Sequence, residues 1–397
     1  MIHCMNRYPK FDDKSILIWG YGREGQSTQR FLNTCCSPRK VEIFEGKKEE
    51  IREEDYDYII KSPGIVMAED DPKVTSQTEI FLETFRKNVI GVTGTKGKST
   101  TASLLYHVLS GCLDRKVILL GNIGEPCLNH FEEVDDDTVV VFEMSCHQLA
   151  HAKISPHIAV FLNLFEEHLD YYRTFDRYFA AKQNITLYQE ETDFFYAGEN
   201  VPAIPTKAQT FVVDHADDFG LKIPGAHNNL NAEFVFRIAT QHFALDPLQV
   251  RERMKSFTGL AHRLQPVGEK NGVKYYDDSI STIPAATINA LLALPEAKTV
   301  LIGGMDRGID YRELIDFMKQ HPEYIYLCMY ESGKRIFEET KDLPNCYYEP
   351  DLKKAVERAG EVTEKGKAVI LSPAAASYGY FKNFEERGEK FAEYAGL

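Results

Sequence analysis

The sequence predicts an α/β protein of three consecutive domains. These are a Rossmann-like unit over residues 1–87, a central P-loop ATPase-type parallel sheet over 88–259 and a C-terminal Rossmann-like unit over 260–397. Three observations predict this class. Short apolar runs alternate with helix-like segments along the whole chain, the pattern of parallel sheets covered by helices. Two glycine-bearing turns, Gly20–Gly25 and Gly94–Ser99, each follow an apolar run and open a helix-like segment. At 397 residues, with 43% hydrophobic and 27% charged residues, the chain is too long for one ordinary domain and apolar enough to build several cores.

In the first region, Ser15-Ile16-Leu17-Ile18-Trp19 is predicted as a buried strand leading through Gly20-Tyr21-Gly22-Arg23-Glu24-Gly25 into a helix from Gln26. A GxGxxG turn between strand and helix suits a diphosphate, and alone it is a weak signal. The glycines serve equally well if they only permit tight packing. Strands are also predicted at Val41–Glu45 and Tyr56–Ile60, the latter ending in Lys61-Ser62-Pro63-Gly64-Ile65, with a helix over Thr75–Arg86.

The central region opens with Val89-Ile90-Gly91-Val92, the turn Thr93-Gly94-Thr95-Lys96-Gly97-Lys98-Ser99-Thr100 and a helix through Leu109. Glycines admit a phosphate to the backbone, N–H groups converge on it, and a helix N-terminus favours its charge. Lys98 is placed to reach β- and γ-phosphates and Ser99 to ligate Mg²⁺. The common GxxxxGK[ST] spacing fails at Val92, leaving the narrower TGTKGKST. Predicted strands Val117–Leu120, Thr138–Phe142 and Ile158–Leu162 end at Gly121-Asn122-Ile123-Gly124, at Glu143 and at a segment reaching His168. An acid at such a strand end, beside a phosphate loop, is a candidate metal or water ligand. Lys182, on a helix over Phe175–Gln189, has on composition the bland reading of a solvated lysine. The asparagines of His227-Asn228-Asn229-Leu230-Asn231 are expected to cap a helix from Ala232, and Gly259–Leu264 is expected to be a hinge.

The last region repeats the alternation. Strands are predicted at Val273–Tyr276, Thr299–Ile302, Tyr324–Leu327 and Lys367–Leu371, with helices at Pro284–Leu294, Tyr311–Gln320, Leu352–Thr363 and Phe381–Tyr394. Polar clusters follow three of those strands: Asp277-Asp278-Ser279, Gly303–Arg307 and Ser372–Ser377.

The formal charge of −14 argues against nucleic-acid and anionic-membrane partners. The eight cysteines form no metal-like CxxC pair, the N-terminus lacks the apolar core of a signal peptide, and no run approaches a membrane span. A cytoplasmic, monomeric enzyme is expected.

TGTKGKST, GNIG, HNNLN, FTGLAHR, LIGG and LSPAAASYGYFKNFEERG together resemble the Mur ligases, and within them the branch that adds glutamate to UDP-N-acetylmuramoyl-L-alanine. The resemblance covers nearly the whole chain. It implies UDP-substrate binding by Gly22, Arg23, Glu24, Ser62, Gly64, Asn122 and His168. It implies ATP binding by Gly94, Thr95, Lys96, Gly97, Lys98, Ser99, Thr100, Asn231, Arg263, Asp278 and Arg307. Two Mg²⁺ sites would involve Ser99, Glu143, His168 and Lys182, with Lys182 carrying CO₂ as a carbamate. Thr282, Ser377, Lys382 and Phe384 would form the glutamate pocket. Lys98, Glu143, His168, Lys182 and Arg263 would be the catalytic set, with Arg263 and Asp278 completing the ATP site when the third domain closes. The implied chemistry phosphorylates the substrate carboxylate to an acyl phosphate, which the glutamate amine attacks.

Two departures stand out. Ile280 occupies the place of a family lysine that contacts the amino acid, which keeps L-glutamate open as an alternative to D-glutamate. Met144, Cys146 and His147 replace the leucine, serine and phenylalanine more usual after the acid. Competing readings are a nicotinamide oxidoreductase, which leaves residues 88–397 unexplained, and a non-catalytic binder of UDP-sugar or ATP, for which a carbamate and a second metal would be superfluous.

Overall fold

A computed structural model describes residues 8–67, 71–121, 125–167, 169–223, 225 and 227–397. Among them the chain builds three sheets with helices between their strands, as the sequence predicts.

The first sheet contains β1 (Ser15–Trp19), β2 (Lys40–Phe44), β3 (Tyr58–Lys61) and β4 (Val74–Thr75), all parallel, in the order β2-β1-β3-β4. Helices α1 (Arg23–Cys35) and α2 (Gln77–Phe85) accompany it. Every residue of β1 is buried, which its unbroken apolar run requires. Ser76 caps α2 by accepting the Glu79 N–H.

The central sheet is entirely parallel. Its strands and helices are β5 (Val89–Thr93), α3 (Lys98–Cys112), β6 (Val117–Gly121), β7 (Val139–Glu143), α4 (Cys146–Leu149), β8 (Ile158–Phe161), α5 (Leu169–Tyr172), α6 (Phe175–Leu187), β9 (Phe194–Gly198), β10 (Gln209–Val213), α7 (His227–His242) and α8 (Pro247–Lys255). The strand order β10-β9-β8-β5-β7-β6 places β5 between β7 and β8, so the chain leaves β5 at a point where the winding reverses. Ligands of open parallel sheets bind in the crevice outside the carboxyl ends at such a point. β5 and β7 are buried along their whole length.

One hydrophobic core serves both sheets. Phe131 packs on Phe31 of the first region and on Phe85 of α2, with ring centroids 4.7 and 4.9 Å away, and Phe81 meets Phe142 of β7 at 5.9 Å. Each fully buried ring of this kind stabilises the fold by roughly 1.5–3 kcal/mol relative to exposure.

The third sheet holds β11 (Gln265–Lys270), β12 (Val273–Asp277), α9 (Pro284–Ala293), β13 (Ala297–Ile302), α10 (Arg312–Gln320), β14 (Ile325–Met329), α11 (Tyr330–Thr340), β15 (Cys346–Glu349), α12 (Leu352–Val362), β16 (Ala368–Leu371) and α13 (Phe384–Ala395). Its order is β11-β12-β16-β13-β14-β15, parallel except for the antiparallel edge pair β11–β12. Apolar clusters cover both faces. By compactness the chain forms two units, residues 1–221 with 226–257, and residues 222–225 with 258–397.

The structure adds elements the periodicity did not signal. β10 is an edge strand with only its last residue buried, so it carries no apolar run. β11 contains Pro266 and Gly268 at a register shift, residues that argue against a strand unless it lies at an edge. α8 is mostly polar, with Val250 and Met254 as its buried residues. Asn228, Asn229 and Asn231 lie inside α7 rather than capping it, and Asn228 and Asn231 are buried. No helix among the described residues is long and apolar enough to cross a membrane.

Candidate active site

The turn between β5 and α3 is shaped by two glycines, Gly94 at φ +158° and Gly97 at φ +82°. A Cβ on Gly97 would lie 2.7 Å from Asn231 Oδ1, so the loop and α7 meet too closely for any side chain there. Asn163, just past β8, accepts the Lys96 N–H at 2.9 Å and returns its amide to the Lys96 carbonyl at 3.0 Å. Its carbonyl also takes the Thr95 N–H. Thr95 Oγ1 lies 3.1 Å from the Tyr178 hydroxyl and accepts the Phe165 N–H. Neighbouring strand ends thus hold the loop in one shape. Thr100 lies in the first turn of α3, and the Lys96 ammonium reaches outward to Glu167 at 2.6 Å.

Inside the loop, Lys98 and Lys182 converge on one carbonyl. Lys98 Nζ donates to Gly94 O at 3.0 Å and Lys182 Nζ to the same oxygen at 2.7 Å. Lys182 is 1% exposed, far from the solvated lysine its composition suggested. Burial, reinforced by the Lys98 charge, pulls its pKa from 10.5 down to about 7. Burial also lowers the Lys98 pKa. Two amino groups this close disfavour each other's charge, so the site would gain from an anion.

Ser99 Oγ donates to Glu143 Oε1 at 3.1 Å, and Glu143 is fully buried at the end of β7. A hydroxyl and a carboxylate beside a phosphate loop are hard oxygen donors of the kind Mg²⁺ takes, usually few because water and phosphate complete its shell. Among the described residues no cluster of three or more His, Cys, Asp or Glu forms a ready cage. These residues fit Mg²⁺. His168 and Asn122 lie outside the described residues.

A cavity of about 370 Å³ opens beside the loop, lined by Lys98, Lys182, Ser145, His147, Tyr171 and, from the first sheet's β3 loop, Gly64. Tyr171 donates its hydroxyl to Ile65 O at 3.1 Å, tying that loop to the central sheet. In the GxGxxG turn the glycines differ in role. A Cβ on Gly25 would sit 2.2 Å from Gly20 O, a packing requirement, whereas Gly22 faces open space where a ligand can approach the backbone. Ser62 donates to Gly20 O at 3.1 Å, joining the two strand-end loops. Arg23 opens α1. Glu24 accepts from Gln148 at 3.3 Å, and its burial raises the carboxyl pKa to about 7. Lys61 was not singled out by sequence. It is buried at the end of β3, its pKa lowered to about 8 by burial, and it donates to Ile65 O at 2.9 Å.

In the second compact unit, four separate segments, at 262–264, 277–278, 372 and 384, meet at the carboxyl ends of β12 and β16. Asp278 is buried and takes the Leu264 N–H at 3.2 Å and the Ser372 hydroxyl at 2.7 Å. Burial raises its pKa to about 6. That hydrogen bond fixes the turn bearing Arg263, whose neighbours His262 and Leu264 both have left-handed backbone at φ +59° and +42°. Non-glycine residues held there store strain, a common feature of functional turns. His262 is clamped by Asp277 at 2.6 Å, which raises its pKa, and Phe384 packs edge-on against its ring. Ser377 is buried, Thr282 is half-buried, and Lys382 and Arg307 are exposed on their loops.

The chain belongs to the Mur ligase family. Residues 92–211 match the Mur ligase middle domain and residues 262–375 the Mur ligase glutamate ligase domain. The UDP-N-acetylmuramoylalanine–D-glutamate ligase of Streptococcus agalactiae serotype III (strain NEM316) is 32% identical, covering 98% of each chain. The enzyme of that name from Aquifex aeolicus (strain VF5) is 33% identical, over 95% of this chain and 97% of its own. Among solved structures, UDP-N-acetylmuramate-alanine ligase MurC from Thermotoga maritima superposes with a TM-score of 0.57 at 19% identity, covering 96% of this chain and 98% of its own. MurF from Acinetobacter baumannii does so at 0.62 and 15%, covering 86% and 85%. These two share the fold.

Proposed function

We propose that this protein joins D-glutamate to UDP-N-acetylmuramoyl-L-alanine with hydrolysis of ATP to ADP, a step of peptidoglycan precursor synthesis in the cytoplasm. The observation that carries the reading is the cavity in which Lys98 and Lys182 share the Gly94 carbonyl while the same walls reach Gly64 of the first sheet. A phosphate loop opening directly onto a second binding surface suits transfer of a phosphoryl group to a bound acid.

A carboxylate is a poor acyl donor because its leaving group would be oxide. ATP removes that obstacle by phosphorylating the alanyl carboxylate, and the glutamate amine then displaces phosphate. Lys98 and the loop N–H groups stabilise the charge on the transferring phosphoryl group. Bound Mg²⁺ would add Lewis-acid neutralisation of the same charge, held by Ser99 and Glu143 with His168 as a further proposed ligand. Lys182 is proposed to react as its neutral amine with CO₂, which a pKa near 7 makes accessible. Its nitrogen would add to the carbon of CO₂ and release one proton to solvent, leaving an anion in place of the lysine, able to orient metal. The UDP moiety is assigned to Gly22, Arg23, Glu24, Ser62, Gly64 and Asn122, and glutamate to Thr282, Ser377, Lys382 and Phe384. Residues 1–87, 88–259 and 260–397 are the proposed functional domains.

Phosphate release with UDP-N-acetylmuramoyl-L-alanine tests the reading. D-glutamate is expected to support turnover and L-glutamate to be at least about tenfold poorer. Loss of the family lysine at Ile280 removes one charge-assisted contact, on the order of 1.5–3 kcal/mol. The expected signature is therefore a raised KM for D-glutamate rather than exchange of enantiomer. Comparable or better turnover with L-glutamate would overturn the D-specific assignment. Arg263 offers a planar fork suited to phosphate oxygens, which a lysine cannot copy. Arg263→Lys is expected to lower kcat by about tenfold or more while ATP binding, followed by calorimetry, changes by less than about threefold. Equal losses in both would exclude a role confined to the reacting state.

A further inference from the structure

Arg387 lies on α13 and is completely buried, among the largest side chains with no exposed surface. Burial lowers even its guanidinium pKa, to about 10. Removing such a charge from water is costly unless its donors are well satisfied. The partners that satisfy it lie in loops. Nε donates to Ser279 Oγ at 2.8 Å, Nη2 to Ser279 O at 2.7 Å and Nη1 to Ala375 O at 3.0 Å. A Cβ placed on Gly304 would come within 3.1 Å of Nη1, so the loop after β13 rests on the same group. That loop is joined to the β16 loop by Gly303 N–H to Pro373 O at 2.8 Å and Met305 N–H to Ala376 O at 2.9 Å. One guanidinium therefore underlies the carboxyl ends of three strands, β12, β16 and β13.

We infer that Arg387 is the positioning residue of the acceptor site, resting on the ligase reading above. The loops it joins carry Asp278 and Thr282, Arg307, and Ser377. It does not touch glutamate itself, because its bonds are made to loop atoms beneath the site. It holds the spacing between the loops that do. A planar fork with donors in fixed directions can bind Ser279 twice and Ala375 once, and a lysine ammonium on a flexible stem cannot keep that geometry. Misplacement of substrate-binding groups by about 1 Å is enough to cost on the order of 10²-fold in rate.

The test uses the full-length protein with ATP, UDP-N-acetylmuramoyl-L-alanine and varied D-glutamate. Arg387→Lys and Arg387→Ala are expected to raise KM for D-glutamate by about 10-fold to 100-fold. The KM for the UDP substrate should stay within about twofold, since that ligand is assigned to the other compact unit. Millimolar guanidinium should restore Arg387→Ala by refilling the vacated space, and should not restore Arg387→Lys. Ser279→Ala, which removes a single acceptor, serves if the arginine variants fold poorly, and is expected to raise the same KM about threefold or more. Unchanged KM for D-glutamate, with activity lost only in proportion to lost folded protein, would reduce Arg387 to a structural residue and overturn the inference. A wild-type protein silent with D-glutamate would instead count against the ligase reading.

Discussion

Replacing Lys182 by Ala is expected to lower turnover by about a thousandfold or more, with partial recovery on adding a small carboxylate such as acetate or formate. The side chain is 1% exposed, so substitution removes a group the cavity was built around rather than a surface charge. Its Nζ shares Gly94 O with Lys98, and two ammonium groups there oppose one another. A carbamate at this position would supply an anion beside Lys98, and the alanine variant lacks that anion, which is why an added carboxylate should help it and an added amine should not. Full activity of Lys182→Ala in CO₂-depleted buffer would sink the assignment.

The unmodified lysine also leaves a thermodynamic trace. Its folded pKa of about 7 lies below its ordinary 10.5, so between those values the unfolded chain binds the extra proton. The fold thus carries a penalty that is complete below pH 7 and vanishes as pH rises toward 10.5. Lys182→Met should therefore be more stable than the parent at pH 6–7, on the order of 2–4 kcal/mol, and lose that advantage by about pH 10. Denaturant unfolding in CO₂-free, nucleotide-free buffer measures it, and an advantage independent of pH would assign the effect to packing.

Lys98→Ala is the second large expected effect, a loss of about 10²–10³ in kcat. Lys98 opens α3, immediately after the left-handed Gly97, and folds back over the loop to the Gly94 and Thr95 carbonyls, both at 3.0 Å. On the proposed reading, an ammonium held there would face the charge gathering on the transferring phosphate oxygens, and the burial that depresses its pKa would strengthen its field. Nucleotide binding should fall much less than turnover, because the loop N–H groups and Ser99 remain. A variant within tenfold of the parent in kcat would show that the loop backbone alone carries the charge.

The phosphate loop, the strand-end acid Glu143 and the parallel-sheet class were legible because each is written locally. A strand that must be buried on both faces is an unbroken apolar run, and a turn that must admit phosphate is glycine with a lysine and a hydroxyl at fixed spacing. Lys182 was legible only through family resemblance. Its own helix has no pattern that distinguishes a buried lysine from a solvated one. Asn163 and Lys61 carried no sequence signal, since a lone Asn or Lys after a strand is ordinarily exposed, and Arg387 fell within the LSPAAASYGYFKNFEERG motif without any sign that it would be buried. The sequence by itself determined the α/β class, the buried strands and the glycine-bearing loop before α3, and the resemblance to the family; edge elements such as β10 and β11 were not legible in it. The tertiary structure alone decided that two lysines share one carbonyl, that Tyr171 ties the first sheet to the second, and that one buried arginine joins three loops. Those facts depend on strand order and close approach, which bring together residues tens to hundreds of positions apart and leave no period in the chain.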